Sequence, residues 1–110
     1  MNVEIRKEGS TSVAVITGEI DGRTAPQAQT ELLPIIEDSG KLLMDMKGVT
    51  FLSSAGLRML LLLYRQATSR AGKVALVGLS EDIKDTMSMT GFLSFFIIAD
   101  SLEEGIEALG

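Results

Sequence analysis

The chain has 110 residues, 45% of them hydrophobic, and carries a formal net charge of −5 with no run of basic residues. That length suits one compact domain, predicted to occupy the whole of 1–110, and the acidic balance argues against nucleic acid or an anionic membrane surface as the partner. Cysteine and histidine are both absent, which excludes disulfides, thiolate metal sites and Cys or His catalysis, and with them most enzyme classes.

Met1 to Arg6 lacks the apolar core of a signal segment, and no apolar run approaches the roughly 20 residues needed to cross a bilayer. The chain is expected to be cytoplasmic, with no direct insertion into a membrane. Val3 to Lys7 alternates apolar and charged residues, and Ser12 to Ile20 follows a Glu8-Gly9-Ser10 break, which predicts a β-hairpin. Asp21-Gly22-Arg23 then leaves the sheet. Thr24-Ala25-Pro26-Gln27 has the pattern of a capping box with proline in the first turn, opening a helix from about Ala25 to Glu37. Pro34 lies inside it and is expected to kink or end it.

Lys41 to Met46 reads as a buried strand, Gly48 as the turn after it, and Phe51-Leu52 as a return to the core. A second helix is predicted from Ser54 to about Ala71, stopped by Gly72 after a basic last turn. Val74 to Gly78 forms the fourth strand. Ser80-Glu81-Asp82 caps a third helix that Gly91 closes, Phe95 to Ile98 makes a final strand, and Ser101 with Glu104 caps a last helix ending near Leu109. After the hairpin, strand and helix alternate with short links. The fold class is therefore α/β: a small mixed sheet, an N-terminal hairpin followed by parallel βα units joined by right-handed crossovers.

The chemistry concentrates where the third strand meets the second helix. Ser53 and Ser54 open that helix, and on spacing alone they serve equally as an N-cap or as a modification site. A phosphate on Ser54 would be tolerated there, because free N–H groups and the helix dipole favour negative charge. Gly56 would let another backbone approach closely. At 100° per residue Leu57, Leu60, Leu61, Tyr64, Ala67 and Ala71 share the predicted core face, whereas Met59 and Leu62 fall near the opposite side. Either both faces of this helix are covered or an apolar patch is exposed. Arg58, four residues after Ser54, reads equally as a solvated arginine or as a contact to phosphate or partner. Met87 and Met89 could line a plastic contact surface near Thr90.

Other readings find less. Asp45 at a strand end suggests a phospho-aspartate receiver, but no acidic pair follows the first strand and no lysine the fifth, so Asp45 is read as a structural carboxylate. The Gly72-Lys73 pair lacks the upstream glycine of a phosphate loop. No cofactor or metal is expected.

Asp45-Met46-Lys47-Gly48-Val49-Thr50-Phe51-Leu52-Ser53-Ser54-Ala55-Gly56-Leu57 resembles the signature of the STAS domain family, the anti-sigma factor antagonists. The resemblance extends to Gly18-Glu19-Ile20-Asp21, to Met89 through Leu93 and to Ser101 through Ile106, and so spans nearly the whole chain. It implies an α/β fold with helices packed on a small mixed sheet, and a function as an antagonist that binds a kinase-type anti-sigma factor when unphosphorylated. It also implies that Ser54 is the serine this kinase phosphorylates, with a phosphoserine phosphatase to reverse the step. Many members carry aspartate where this chain has Ser53, which removes a negative neighbour and makes Ser53 a competing acceptor. The same resemblance places Asp21, Gly22, Arg23 and Thr24 with Ser53, Ser54, Ala55 and Gly56 in partner contact, to which helix geometry adds Arg58, Met59 and Leu62. The protein is then a substrate and not an enzyme, a monomer or weak dimer. The alternative is a STAS adaptor, for instance a subunit of a transport ATPase, that uses the same surface without phosphorylation.

Overall fold

A computed structural model describes residues 1–110. Five strands, β1 (Asn2–Glu8), β2 (Thr11–Ile20), β3 (Lys41–Leu52), β4 (Lys73–Val77) and β5 (Ile97–Ala99), form one sheet in the order β1-β2-β3-β4-β5. The β1–β2 pair is antiparallel and every later pair is parallel. Four helices connect or close the sheet: α1 (Ala25–Ser39), α2 (Ser54–Thr68), α3 (Glu81–Met89) and α4 (Leu102–Leu109). The mixed α/β architecture, an antiparallel hairpin followed by parallel βα units, agrees with the sequence pattern.

The sheet divides two apolar cores. On one face Ala14, Ile16, Met44, Met46 and Leu76 pack against Ala28, Leu32 and Ile36 of α1, Leu60 and Leu63 of α2, and Ile83 and Met87 of α3. The other face carries a smaller cluster, Val13, Leu43, Ala75 and Val77, covered by α4 through Leu102, Ile106 and Leu109. Strands buried on both faces need continuous apolar runs rather than alternation, which is why Leu42 to Met44 and Val74 to Val77 read as they do.

Several local expectations are corrected. β3 does not turn at Gly48; it continues to Leu52. It carries extra residues relative to β2, two against one between Asp45 and Gly48, and Thr50 without a counterpart between Val49 and Phe51. Such bulges re-aim the side chains that follow: Leu52 is buried, but Phe51, expected in the core, is 51% exposed. A side chain at Gly48 would press on Thr17, with a Cβ 2.6 Å from its Cγ2, so the glycine serves strand packing.

Helix α1 runs past Pro34 to Ser39 instead of stopping there. Thr24 precedes α1 without capping it. Helix α2 ends at Thr68, leaving Ala71 outside it and exposed, in the left-handed region at φ 56°. Gly72 therefore is not the left-handed stop; it is required because a Cβ there would lie 1.7 Å from the Gly40 carbonyl oxygen. The stretch predicted as a strand from Phe95 instead begins in a 3-10 turn, Leu93–Phe95, with Phe95 stacked on Tyr64 at 5.0 Å.

Candidate functional site

The site is assembled where β2 and β3 reach their C-terminal ends side by side, the usual position for sites in parallel sheets. The Ser53 N–H donates to the Ile20 carbonyl at 2.9 Å, tying the start of α2 to the end of β2. Gly56 makes this close fit possible: a Cβ there would stand 2.5 Å from Leu52 Cδ1 and 3.0 Å from the Ile20 oxygen. The backbone that approaches Gly56 thus belongs to this same chain.

Within that junction the two serines take different roles. Ser53 is the N-cap, in extended conformation, its Oγ accepting from the Gly56 N–H at 3.2 Å. Ser54 is the first helical residue; it is exposed and takes no part in the cap. The Ser53 oxygen is thus engaged at the helix terminus while Ser54 stands in solvent, a difference that spacing alone does not show.

The adjoining β2–α1 turn is built on Asp21. Its Oδ1 accepts from the backbone N–H groups of Arg23 at 2.9 Å and Thr24 at 3.1 Å. These bonds, the Arg23 one foremost, hold the carboxyl below its ordinary pKa of 3.8 against an opposing desolvation, with smaller help from the Thr24 hydroxyl and the Arg23 charge. Thr24 uses its hydroxyl to accept from the Asp21 N–H and donate to the Glu19 carbonyl, both at 2.9 Å. The capping box expected at Thr24 is absent because its oxygen is engaged upstream, and the Asp21 carboxylate takes over the N–H groups ahead of α1.

Between α1 and α2 lies a groove of about 310 Å³ lined by Gly22, Pro26, Ala55, Arg58, Met59 and Leu62 among others. It gathers residues from both candidate stretches. Met59, however, is not a surface residue: it is 3% exposed and belongs to the main core. Helix α1 packs against α2, whose buried side carries Gly56, Met59, Leu60, Leu63 and Ala67 while Ser54, Arg58, Arg65 and Thr68 face solvent, so that of the Met59–Leu62 pair only half-buried Leu62 remains open. Arg58 is exposed, and the chain's ion pairs, Arg6–Glu8, Lys47–Asp45 and Lys84–Glu81, leave it free.

On the far side of the junction a second groove, about 490 Å³, runs between Val49 to Leu52 and the start of α3 at Ser80, Asp82, Ile83 and Thr86. Exposed Phe51 stands at its rim. Sequence reasoning missed this wall; its signal was Gly48 inside the strand pattern that runs on through Val49-Thr50-Phe51, the setting of a bulge. Asp45 is structural as read, 7% exposed, with its Oδ1 accepting from the Lys47 N–H at 3.1 Å. Met87 is fully buried, whereas Met89 is 87% exposed. No group of three Asp or Glu side chains is placed to hold a metal ion, and no helix is long and apolar enough to cross a membrane.

The sequence profile of the STAS domain matches residues 2–105, and the chain belongs to that family. Among its relatives is the anti-sigma-B factor antagonist of Bacillus subtilis, 26% identical over 97% of this chain and 98% of that protein. BtrV of Bordetella bronchiseptica, named as a candidate anti-sigma factor antagonist, is 28% identical over 98% of this chain and 94% of its own length. An anti-sigma factor antagonist from Mycobacterium paratuberculosis superposes with a TM-score of 0.87 at 26% identity, covering 98% of this chain and 92% of that one. The phosphorylated form of SpoIIAA from Bacillus shares the fold at a TM-score of 0.76 and 19% identity, covering 99% and 100%.

Proposed function

We propose that this protein is an anti-sigma factor antagonist whose unphosphorylated form binds a kinase-type anti-sigma factor and is released by phosphorylation at Ser54. One observation carries the reading: Ser53 is engaged as the α2 cap while Ser54 stands exposed beside it. Membership of the STAS family and the names of its relatives supply the class of partner.

In this reading the chain is a substrate and not a catalyst. The γ-phosphoryl group of ATP passes to Ser54 Oγ, the hydroxyl proton leaves, and ADP is released; a phosphoserine phosphatase restores the hydroxyl by hydrolysis. Phosphoserine adds about −1.5 to −2 charge at neutral pH. The start of α2 accommodates that charge within this chain, through its dipole and unpaired N–H groups. At the partner interface the same charge must be desolvated or repelled, which weakens binding without unfolding the domain. Partner contact is assigned to the Asp21 to Thr24 turn, Ser53 to Ala55, Arg58 and Leu62, with buried Met59 supporting the groove from beneath and buried Gly56 holding the junction to Ile20.

The test is phosphoryl transfer from the cognate anti-sigma factor with ATP, followed by phosphopeptide mapping. Label is expected on Ser54 and lost in Ser54→Ala. Label on Ser53 alone, or none with an active kinase, contradicts the assignment and favours the unmodified adaptor.

A further inference from the structure

Strand β1 is an edge of the sheet, hydrogen-bonded to β2 on one side only, and no other element packs substantially against it. Such an edge offers a row of unpaired N–H and C=O groups, which proteins usually cover or protect with charge. The other edge, β5, is only three residues long. β1 has seven, most of them exposed, with Ile5 at 43% one of the few large apolar side chains left in solvent.

The order of charges on β1 is self-complementary. Glu4 and Arg6 lie opposite Val15 and Val13 of β2, on the α4 side of the sheet, whereas Val3 and Ile5 lie opposite Ile16 and Ala14, on the side of the main core. In an antiparallel two-fold pairing of β1 with a second copy centred on Ile5, Glu4 faces the second copy's Arg6 and Arg6 faces its Glu4. Ile5 then meets its own twin, and Val3 faces the aliphatic stem of Lys7. Moving the axis one residue either way sets like charges opposite: Glu4 against Glu4, or Arg6 against Arg6 with Glu4 against Glu8. One register alone among these three satisfies the charges, and cross-strand pairs of this kind are what fix register in a sheet. The existing Arg6–Glu8 contact, 3.6 Å between two half-exposed side chains, is a weak competitor.

We infer that β1 is a homodimer interface in which two copies join edge to edge, centred on Ile5, to make one continuous ten-stranded sheet. A two-fold contact of this type is self-complementary by symmetry. The surface is small by the standard of specific complexes, under about 1,200 Å², so the dimer is a weak one. The Ser54 end of the sheet is not used, and the dimer presents two such ends to a partner. This inference is independent of whether Ser54 is phosphorylated.

Sedimentation equilibrium of the unmodified chain, from about 10 μM to about 1 mM, tests it. The weight-average mass is expected to climb toward twice the monomer value. Glu4→Arg and Arg6→Glu, both at exposed positions, are each expected to weaken association by at least about fivefold with unchanged circular dichroism, because each converts two symmetric attractions into repulsions. The double reversal, Glu4→Arg with Arg6→Glu, is expected to restore it. A wild type that stays monomeric throughout, single reversals that associate as well as wild type, or a double reversal that fails to recover would each overturn the inference.

Discussion

At the residue scale two neighbouring serines have unequal duties: Ser53 caps α2 and Ser54 stands exposed beside it. Ser53→Ala removes the oxygen that accepts from Gly56 and is expected to cost about 1 kcal/mol, the usual loss for an N-cap, read as a lower melting temperature. Ser54→Asp places a charge on an exposed residue at a helix start and is expected to melt within a few degrees of wild type, a change of roughly 1 kcal/mol or less. A large loss of stability in that variant would show that Ser54 is structurally committed. Asp21 brings a pH dependence. Its carboxyl is lowered from 3.8 by the Arg23 and Thr24 N–H groups, so the unfolded chain takes up its proton first as pH falls. The stabilisation from Asp21 is therefore fully present above its ordinary pKa and is lost below it, as pH falls through the lowered folded value. Asp21→Asn is expected to flatten the acid limb of a denaturation profile; an unaltered limb would mean these bonds do not persist in solution.

At the scale of elements, the packing of α2 separates what the sequence could tell from what it could not. Leu57, Leu60 and Ala67 lie on the stripe read from periodicity and are buried. Met59 and Leu63 are buried as well: with Gly56, Leu60 and Ala67 they recur at helical spacing, so the buried stripe is centred on Leu63 and turned away from the face centred on Leu57 and Tyr64. The strand β3 was legible as far as Met46 because it is a continuous apolar run. Its continuation past Gly48 was not, since a glycine in a strand looks like a turn until the bulges opposite β2 are known. The serine junction was legible as a helix start and the resemblance already singled out Ser54, whereas which serine caps the helix needed the structure. Two variants check this packing. Met59→Ala is expected to lose about 2–5 kcal/mol of stability, the cost of emptying a buried site. Leu62→Glu, at the mouth of the groove, is expected to reduce partner affinity while keeping most of the stability, a separation read by melting and titration on one sample. Equal stability losses for the two would place Leu62 in the core with Met59.

For the molecule as a whole, the sheet is a scaffold that holds the Asp21 to Thr24 turn and the start of α2 side by side at a single end. Gly56 is the tightest point of that arrangement, with room for no Cβ between Leu52 and Ile20. The central claim is that one charge at Ser54 switches association on a fold that does not change. The most direct measurement is calorimetric titration of the cognate anti-sigma factor with the unphosphorylated chain and with the chain fully phosphorylated at Ser54, on samples with matching circular dichroism. Tight binding of the first is expected, with at least about tenfold weaker binding of the second, a difference of about 1.4 kcal/mol or more. Equal affinity of the two forms would contradict it.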